Sequence, residues 1–187
     1  MNEVLQNIKN RRSVRKYQTR QIPGELCESI VEAGLYAPSG RNSQAVHITV
    51  VRKKDLIERI TEELKAAVAR TPGNRYRDSV GAASYTVNFG APTFMIVSAD
   101  VSRAVTPEAD CACALENMFL AARSLGIGSC WINQLGSVNG DSAFLNFLRA
   151  EAGFPEGNVI FGCGAFGYPV GDFPQAPARK GTSNLVE

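Results

Sequence analysis

The sequence predicts one domain of helices packed around a single sheet, of the α/β or α+β class. Three observations carry this reading. Helix-like and strand-like stretches alternate along the whole chain. The chain has 187 residues, which suits a single domain. Hydrophobic residues make up 44% and charged residues 20%, so a sizeable core can form and a disordered chain is excluded.

Each element has a local reason. Val4, Leu5 and Ile8 suggest a short first helix that ends near a basic cluster. Pro23 suits the opening of a second helix with Leu26, Ile30 and Val31 on its apolar face. That helix should stop before Pro38, because a residue preceding proline is pushed out of the α region. Residues 46–51 are rich in β-branched side chains and read as a strand. Asp55 with Glu58 reads as a capping-box start, and Leu56, Ile60, Leu64 and Val68 mark one face of the helix that follows.

Residues 71–90 have weak periodicity and read as a connection holding one short helix, with the role of a lid open to it. Residues 93–99 form a buried-looking strand after Pro92. Pro107 opens a long helix closed by Gly126, apolar on nearly every side, so it belongs in a core or an interface. A strand over 129–133, a helix around 144–148 and a last strand over 158–161 follow. Residues 169–187 read as an extended tail.

Composition excludes several functions. The net charge is only +2, which argues against a wholly basic nucleic-acid binder. No apolar run reaches the length of a membrane span, and the start lacks the apolar region of a secretory signal. Five cysteines without a C-x-x-C pair indicate neither a disulfide framework nor a zinc site, so the expected compartment is the reducing cytoplasm. The single histidine, His47, lies in a predicted strand and reads as structural. Gly162, Gly164 and Gly167 spell a dinucleotide-like string, but Tyr168 and Pro169 follow it where a helix should begin. Close backbone packing at a strand end explains it better. Glu116 and Asn117 read as a hydrogen-bonded pair at a packed interface.

Four stations carry chemistry. Residues 9–20 hold six Lys or Arg and no acid. Arg11 and Arg15 would share a face if the first helix continued, and Ser13 adds a hydroxyl. A solvated charge run, a nucleic-acid arm and a site for a small phosphorylated ligand compete here, and the R-R-S-x-R packing suits the last best. Pro38 and Gly40 shape a turn on which Ser39, Asn42 and Gln44 offer both donors and acceptors. In 125–134, small residues would let the backbone approach a flat ligand. Arg179 and Lys180 supply a late second cationic point.

In this order, RRSVRKY, APSGRNSQ, GAPTFMIVSAD, DCACALENMFLAARSLGIGSCWI, FGCGAFGYP and ARK resemble the nitroreductase family across nearly the whole chain. The resemblance implies an α+β, three-layer fold: a central, mostly antiparallel sheet flanked by helices, in an obligate homodimer. It implies FMN at the interface, with NADH or NADPH as co-substrate. Arg11, Arg12 and Ser13 would hold the phosphate and ribityl chain, and Arg15 would lie near the pyrimidine edge of the ring. Pro38, Ser39, Gly40, Asn42 and Gln44 would come from the partner subunit. Ile132, Asn133 and Gln134 match the segment whose backbone approaches flavin N5, and Arg179 or Lys180 would close the phosphate site.

The implied activity passes hydride through the flavin to an electron-poor small molecule such as a nitroaromatic or a quinone, in a ping-pong cycle. The cofactor carries the chemistry, so no catalytic acid–base pair or metal is expected. Dehydrogenation, dehalogenation or flavin cleavage on the same scaffold remain alternatives, as does a non-enzymatic flavin-binding protein. Many members read Q-P-W where this chain reads Gln44-Ala45-Val46, which alters the packing behind the ring. Tyr76, Tyr85 and Phe89 are the aromatic side chains of 71–90 that could face it.

Overall fold

A computed structural model describes residues 2–187. Six helices and four strands occur among them: α1 (Glu3–Asn10), α2 (Gly24–Leu35), β1 (Val46–Val51), α3 (Lys54–Arg70), α4 (Arg77–Gly81), β2 (Thr93–Asp100), α5 (Pro107–Ser124), β3 (Gly128–Ile132), α6 (Ser142–Ala152) and β4 (Asn158–Gly167). The sheet order is β1-β2-β4-β3, and every pairing is antiparallel. No helix among the described residues is long and apolar enough to cross a membrane.

The strand β2 explains the three layers. It is buried on both faces, and its side chains alternate. Phe94 and Ile96 join the apolar face of α3 and Phe144 and Leu148 of α6 on one side. Met95, Val97 and Ala99 join α2 and α5 on the other. The periodic residues Leu56, Ile60, Leu64 and Val68 are all buried in the first of these cores.

Three local expectations are corrected. The helix α3 starts at Lys54 without a side-chain cap, so Asp55 sits inside its first turn rather than closing a capping box. The strand β4 does not stop at Phe161 but runs on to Gly167 through the whole glycine string. A Cβ on Gly162 would stand 2.7 Å from Leu115 Cδ1, and one on Gly167 would stand 2.6 Å from Pro92 Cδ, so these glycines serve close packing. Glu116 and Asn117 do not pair: Glu116 meets Arg11, while Asn117 Nδ2 donates to the Ala33 carbonyl of α2 at 3.1 Å. The cysteines are buried except Cys113, which is exposed on α5.

The basic segment differs most from its expected form. The helix α1 ends at Asn10, and Arg11 is already extended. Residues 11–17 then run along the sheet, with Ser13 bridging Ser129 of β3 and Tyr17 bridging Pro169. Arg11 and Arg15 therefore do not share a helical face. The tether is steric as well as polar. Val14 N–H donates to the Ser129 carbonyl at 2.9 Å, and a Cβ on Gly128 would stand 2.8 Å from Val14 Cγ2. The small residue at the start of β3 thus accommodates this chain's own Val14 rather than a ligand.

Candidate functional site

The cationic station forms where α1 meets the C-terminal end of α5. Asn7 Nδ2 donates to the Leu120 carbonyl at 2.8 Å, and Arg123 Nε donates to the Asn10 carbonyl at 3.1 Å. These contacts hold Arg11 and Arg12 beside Arg123. The tail returns to the same place: Phe173 lies under the Arg123 guanidinium at 4.1 Å. Arg179 comes near enough to act on Arg12, whose pKa is lowered by burial and then by Arg179, Arg11 and Arg123. The tail as far as Arg179 thus crosses its own chain. Lys180 is exposed and forms no ion pair among the described residues.

Arg11, Arg123 and Arg179 therefore all lie near Arg12, and of the four only Arg11 pairs with a carboxylate, Glu116 at 3.4 Å. Arg12 turns two guanidinium nitrogens to the carbonyls of Lys9 and Arg11, and its Nε is buried without a partner. Crowded like charges with an unmatched donor suit a dianionic phosphate. Ser13 is half-buried beside the Cys130 thiol. Burial raises that thiol's pKa, against opposing effects of Arg15, Ser13 and Arg11.

Arg15 is exposed, and its guanidinium carbon lies 5.7 Å from the centre of the Phe89 ring. Phe89 is thus the aromatic of 71–90 that reaches Arg15. Tyr76 and Tyr85 instead pack against the core between the sheet and α3. Val80 and Val87 are buried there too, which ties the segment down at several points.

At the end of β3, the Ile132 side chain is buried in the core. Trp131 Nε1 donates to Asn133 Oδ1, and Asn133 N–H donates to Gln134 Oε1 at 3.1 Å. The Asn133 amide is therefore covered by its neighbour's side chain.

The turn over 38–44 is built with backbone strain. Arg41, Asn42 and Gln44 have φ of 52°, 54° and 47°, in the region that favours glycine. Ser39 Oγ accepts from Gln44 N–H at 3.0 Å, and Gln44 Nε2 donates to Asn42 Oδ1 at 3.0 Å. Pro38, Asn42 and Gln44 are exposed. Gly40 N–H donates to Asp110 Oδ1 at 2.9 Å, which docks the turn on the first turns of α5.

Within one chain this turn and the 132–134 segment stand apart. The turn precedes β1 at one edge of the sheet, and 132–134 follows β3 at the other. Three strand spacings separate those edges, about 14 Å. Val46 is level with Ala99 and Val159, whereas Ile132 is level with Cys163, which adds about 13 Å along the strands. At the strand ends the two stations of one chain are thus about 19 Å apart.

A profile of the nitroreductase family matches residues 8–168. The chain belongs to the nitroreductase family. A relative from Archaeoglobus fulgidus, named as an NADH dehydrogenase/NAD(P)H nitroreductase, is 35% identical over 96% of this chain and 94% of its own. The crystal structure of a nitroreductase with bound FMN from Bacteroides fragilis is 41% identical, with a TM-score of 0.92 over 100% of both chains. A second nitroreductase with bound FMN, from Desulfitobacterium hafniense, is 28% identical with a TM-score of 0.86, again over both whole chains. These likenesses agree with the three-layer α+β fold.

Sequence reasoning missed Arg123, Asp110 and Thr106. Arg123 sits in the last turn of α5, where a cation ordinarily reads as a partner for the helix dipole. Asp110 and Thr106 look like first-turn residues of the same helix, and only the fold brings Gly40 to them.

Proposed function

We propose that this nitroreductase-family protein is an FMN-dependent oxidoreductase working as a homodimer, with each flavin site built from both subunits. It carries hydride from NADH or NADPH to an electron-poor acceptor such as a nitroaromatic or a quinone, in a ping-pong cycle. The observation that supports this most is the meeting of Arg12 with Arg179, Arg11 and Arg123 around an unmatched buried donor. The FMN in two similar structures is what such a cluster would hold by its phosphate.

When bound, FMN supplies the ring that accepts hydride and gives it up. Arg11, Arg12 and Arg179 bind the phosphate, with Ser13 beside the ribityl chain. Arg15 places a cation near the pyrimidine edge, where negative charge is stabilised. The 132–134 segment presents its backbone to the central ring, and Gln134 must release the Asn133 N–H if that amide is to serve. Pro38, Ser39, Gly40, Asn42 and Gln44 reach the ring from the partner subunit, which explains why they stand so far from 132–134 of their own chain. The protein's part is binding, orientation and charge.

A visible spectrum of the purified protein, taken before and after anaerobic NADPH or NADH, tests the reading. Flavin bands that bleach support it. Bands that persist with both nicotinamides move the chemistry to dehydrogenation, dehalogenation or flavin cleavage. A colourless protein that also rejects added FMN overturns it.

A further inference from the structure

Asp110 has no part in the cationic cluster or the 132–134 segment, yet it is only 3% exposed. Its Oδ1 accepts from the Gly40 N–H at 2.9 Å and from the Thr106 hydroxyl at 2.8 Å. Its Oδ2 is buried and accepts nothing among the described residues. Burying a carboxyl group is costly unless hydrogen bonds offset the lost water, and the two bonds to Oδ1 are what offsets it here. What this carboxyl group holds is the middle of the 38–44 turn.

The turn needs such an anchor. Arg41, Asn42 and Gln44 all occupy positive φ, and strain of this kind persists only where the surroundings enforce it. The bonds inside the turn run between Ser39, Asn42 and Gln44 and tie it only to itself. The Gly40 amide is the point where a side chain of α5 grips it. The fit is tight, since a Cβ on Gly40 would stand 2.6 Å from Thr106 Oγ1.

We propose that Asp110, steadied by Thr106, is a positioning residue that sets the geometry with which the 38–44 turn meets the flavin ring of the partner subunit. This rests on the reading of that turn as part of the FMN site. Asp110 acts through Gly40 and touches no reacting atom. Its influence falls on the ring end of the cofactor and leaves the phosphate end alone.

The test is titration of apo-protein with FMN and with riboflavin, comparing wild type, Asp110→Ala and Asp110→Asn. Unfolding midpoints are measured alongside. Wild type must bind FMN; if it does not, the FMN reading itself fails. Given binding, Asp110→Ala should weaken FMN and riboflavin by the same factor, roughly tenfold or more for a hydrogen bond to a charged group. The ratio of their affinities should not change, and the visible circular dichroism of bound flavin should shift.

Asp110→Asn keeps an acceptor for Gly40 but leaves an amide where Oδ2 was. It should fall in unfolding midpoint while holding near wild-type flavin affinity and spectrum. Either of these results would overturn the proposal: unchanged flavin affinity and spectrum in Asp110→Ala, or Asp110→Asn losing as much affinity as Asp110→Ala. A factor that differs between FMN and riboflavin would also overturn it, because the effect would then reach the phosphate end.

Discussion

Gly128→Ala puts the tether of the basic segment to a direct test. The new Cβ would lie 2.8, 2.9 and 3.1 Å from Val14 Cγ2, Cβ and Cγ1. Carbon atoms prefer about 3.5–4.0 Å, so the overlap is several tenths of an ångström or more. Val14 cannot step aside freely. It is 3% exposed, and its amide is bonded to the Ser129 carbonyl at 2.9 Å. Overpacking of this kind costs about 1–3 kcal/mol.

Removing a glycine from a strand returns about 0.4–1 kcal/mol through the unfolded chain. At the middle of these ranges the clash wins by about 1.3 kcal/mol, with bounds of about 0 and 2.6 kcal/mol. For a chain of this size the central value lowers Tm by roughly 3–5 °C. The same displacement carries Ser13 and Arg15 away from β3, so FMN affinity should fall as well. Gly140→Ala is the control, because nothing lies within 4 Å of its added Cβ. Thermal unfolding of apo-protein and fluorescence titration with FMN are the assays. A Gly128→Ala protein with wild-type Tm and wild-type FMN affinity would refute the argument that steric fit locates the segment.

The remaining predictions use the site and one ion pair. Arg179→Ala should weaken FMN roughly 10- to 150-fold, the worth of one charged hydrogen bond, and leave riboflavin unchanged, whereas Lys180→Ala should do neither; titration with both flavins decides. Arg12→Ala and Gln44→Ala should each impair the site, and mixing the two chains should restore roughly a quarter of wild-type sites by random pairing. No recovery on mixing would place both residues in one chain's site.

Asp141 caps α6 through the Phe144 N–H at 2.9 Å and holds Arg70 at 2.8 and 3.0 Å. The Arg70 bond lowers its pKa first, opposed by burial and aided by the Phe144 amide. A depressed carboxylate stabilises above its unfolded pKa and loses that contribution as pH falls through its folded one. The stability advantage over Asp141→Asn should therefore be full at neutral pH and fade below about pH 4; denaturant unfolding across pH measures it.

Much of the fold was legible because its signals are local. Pro107 and Gly126 bound a helix by their own backbone preferences, and Leu56, Ile60, Leu64 and Val68 declare a buried face by spacing alone. The capping box at Asp55 failed because a side chain can satisfy an amide only from the right position, and the helix began one residue before it. The end of β4 was misplaced because glycine has no strand propensity. Its place there comes from Leu115 and Pro92 packing against the backbone.

The site divides in the same way. By itself the sequence determined which chemical groups are available: a run of arginines at 11–15, amides and hydroxyls at 38–44, and a late arginine at 179. Residue chemistry is carried in the side chain and needs no neighbours to be read. Tertiary structure alone decided which of them meet. It set Arg179 rather than Lys180 beside Arg12, drew Arg123 in from α5, turned Phe89 but not Tyr85 toward Arg15, and gave Gly40 to Asp110. These pairings span most of the chain and depend on how helices seat on a sheet, which no local pattern encodes.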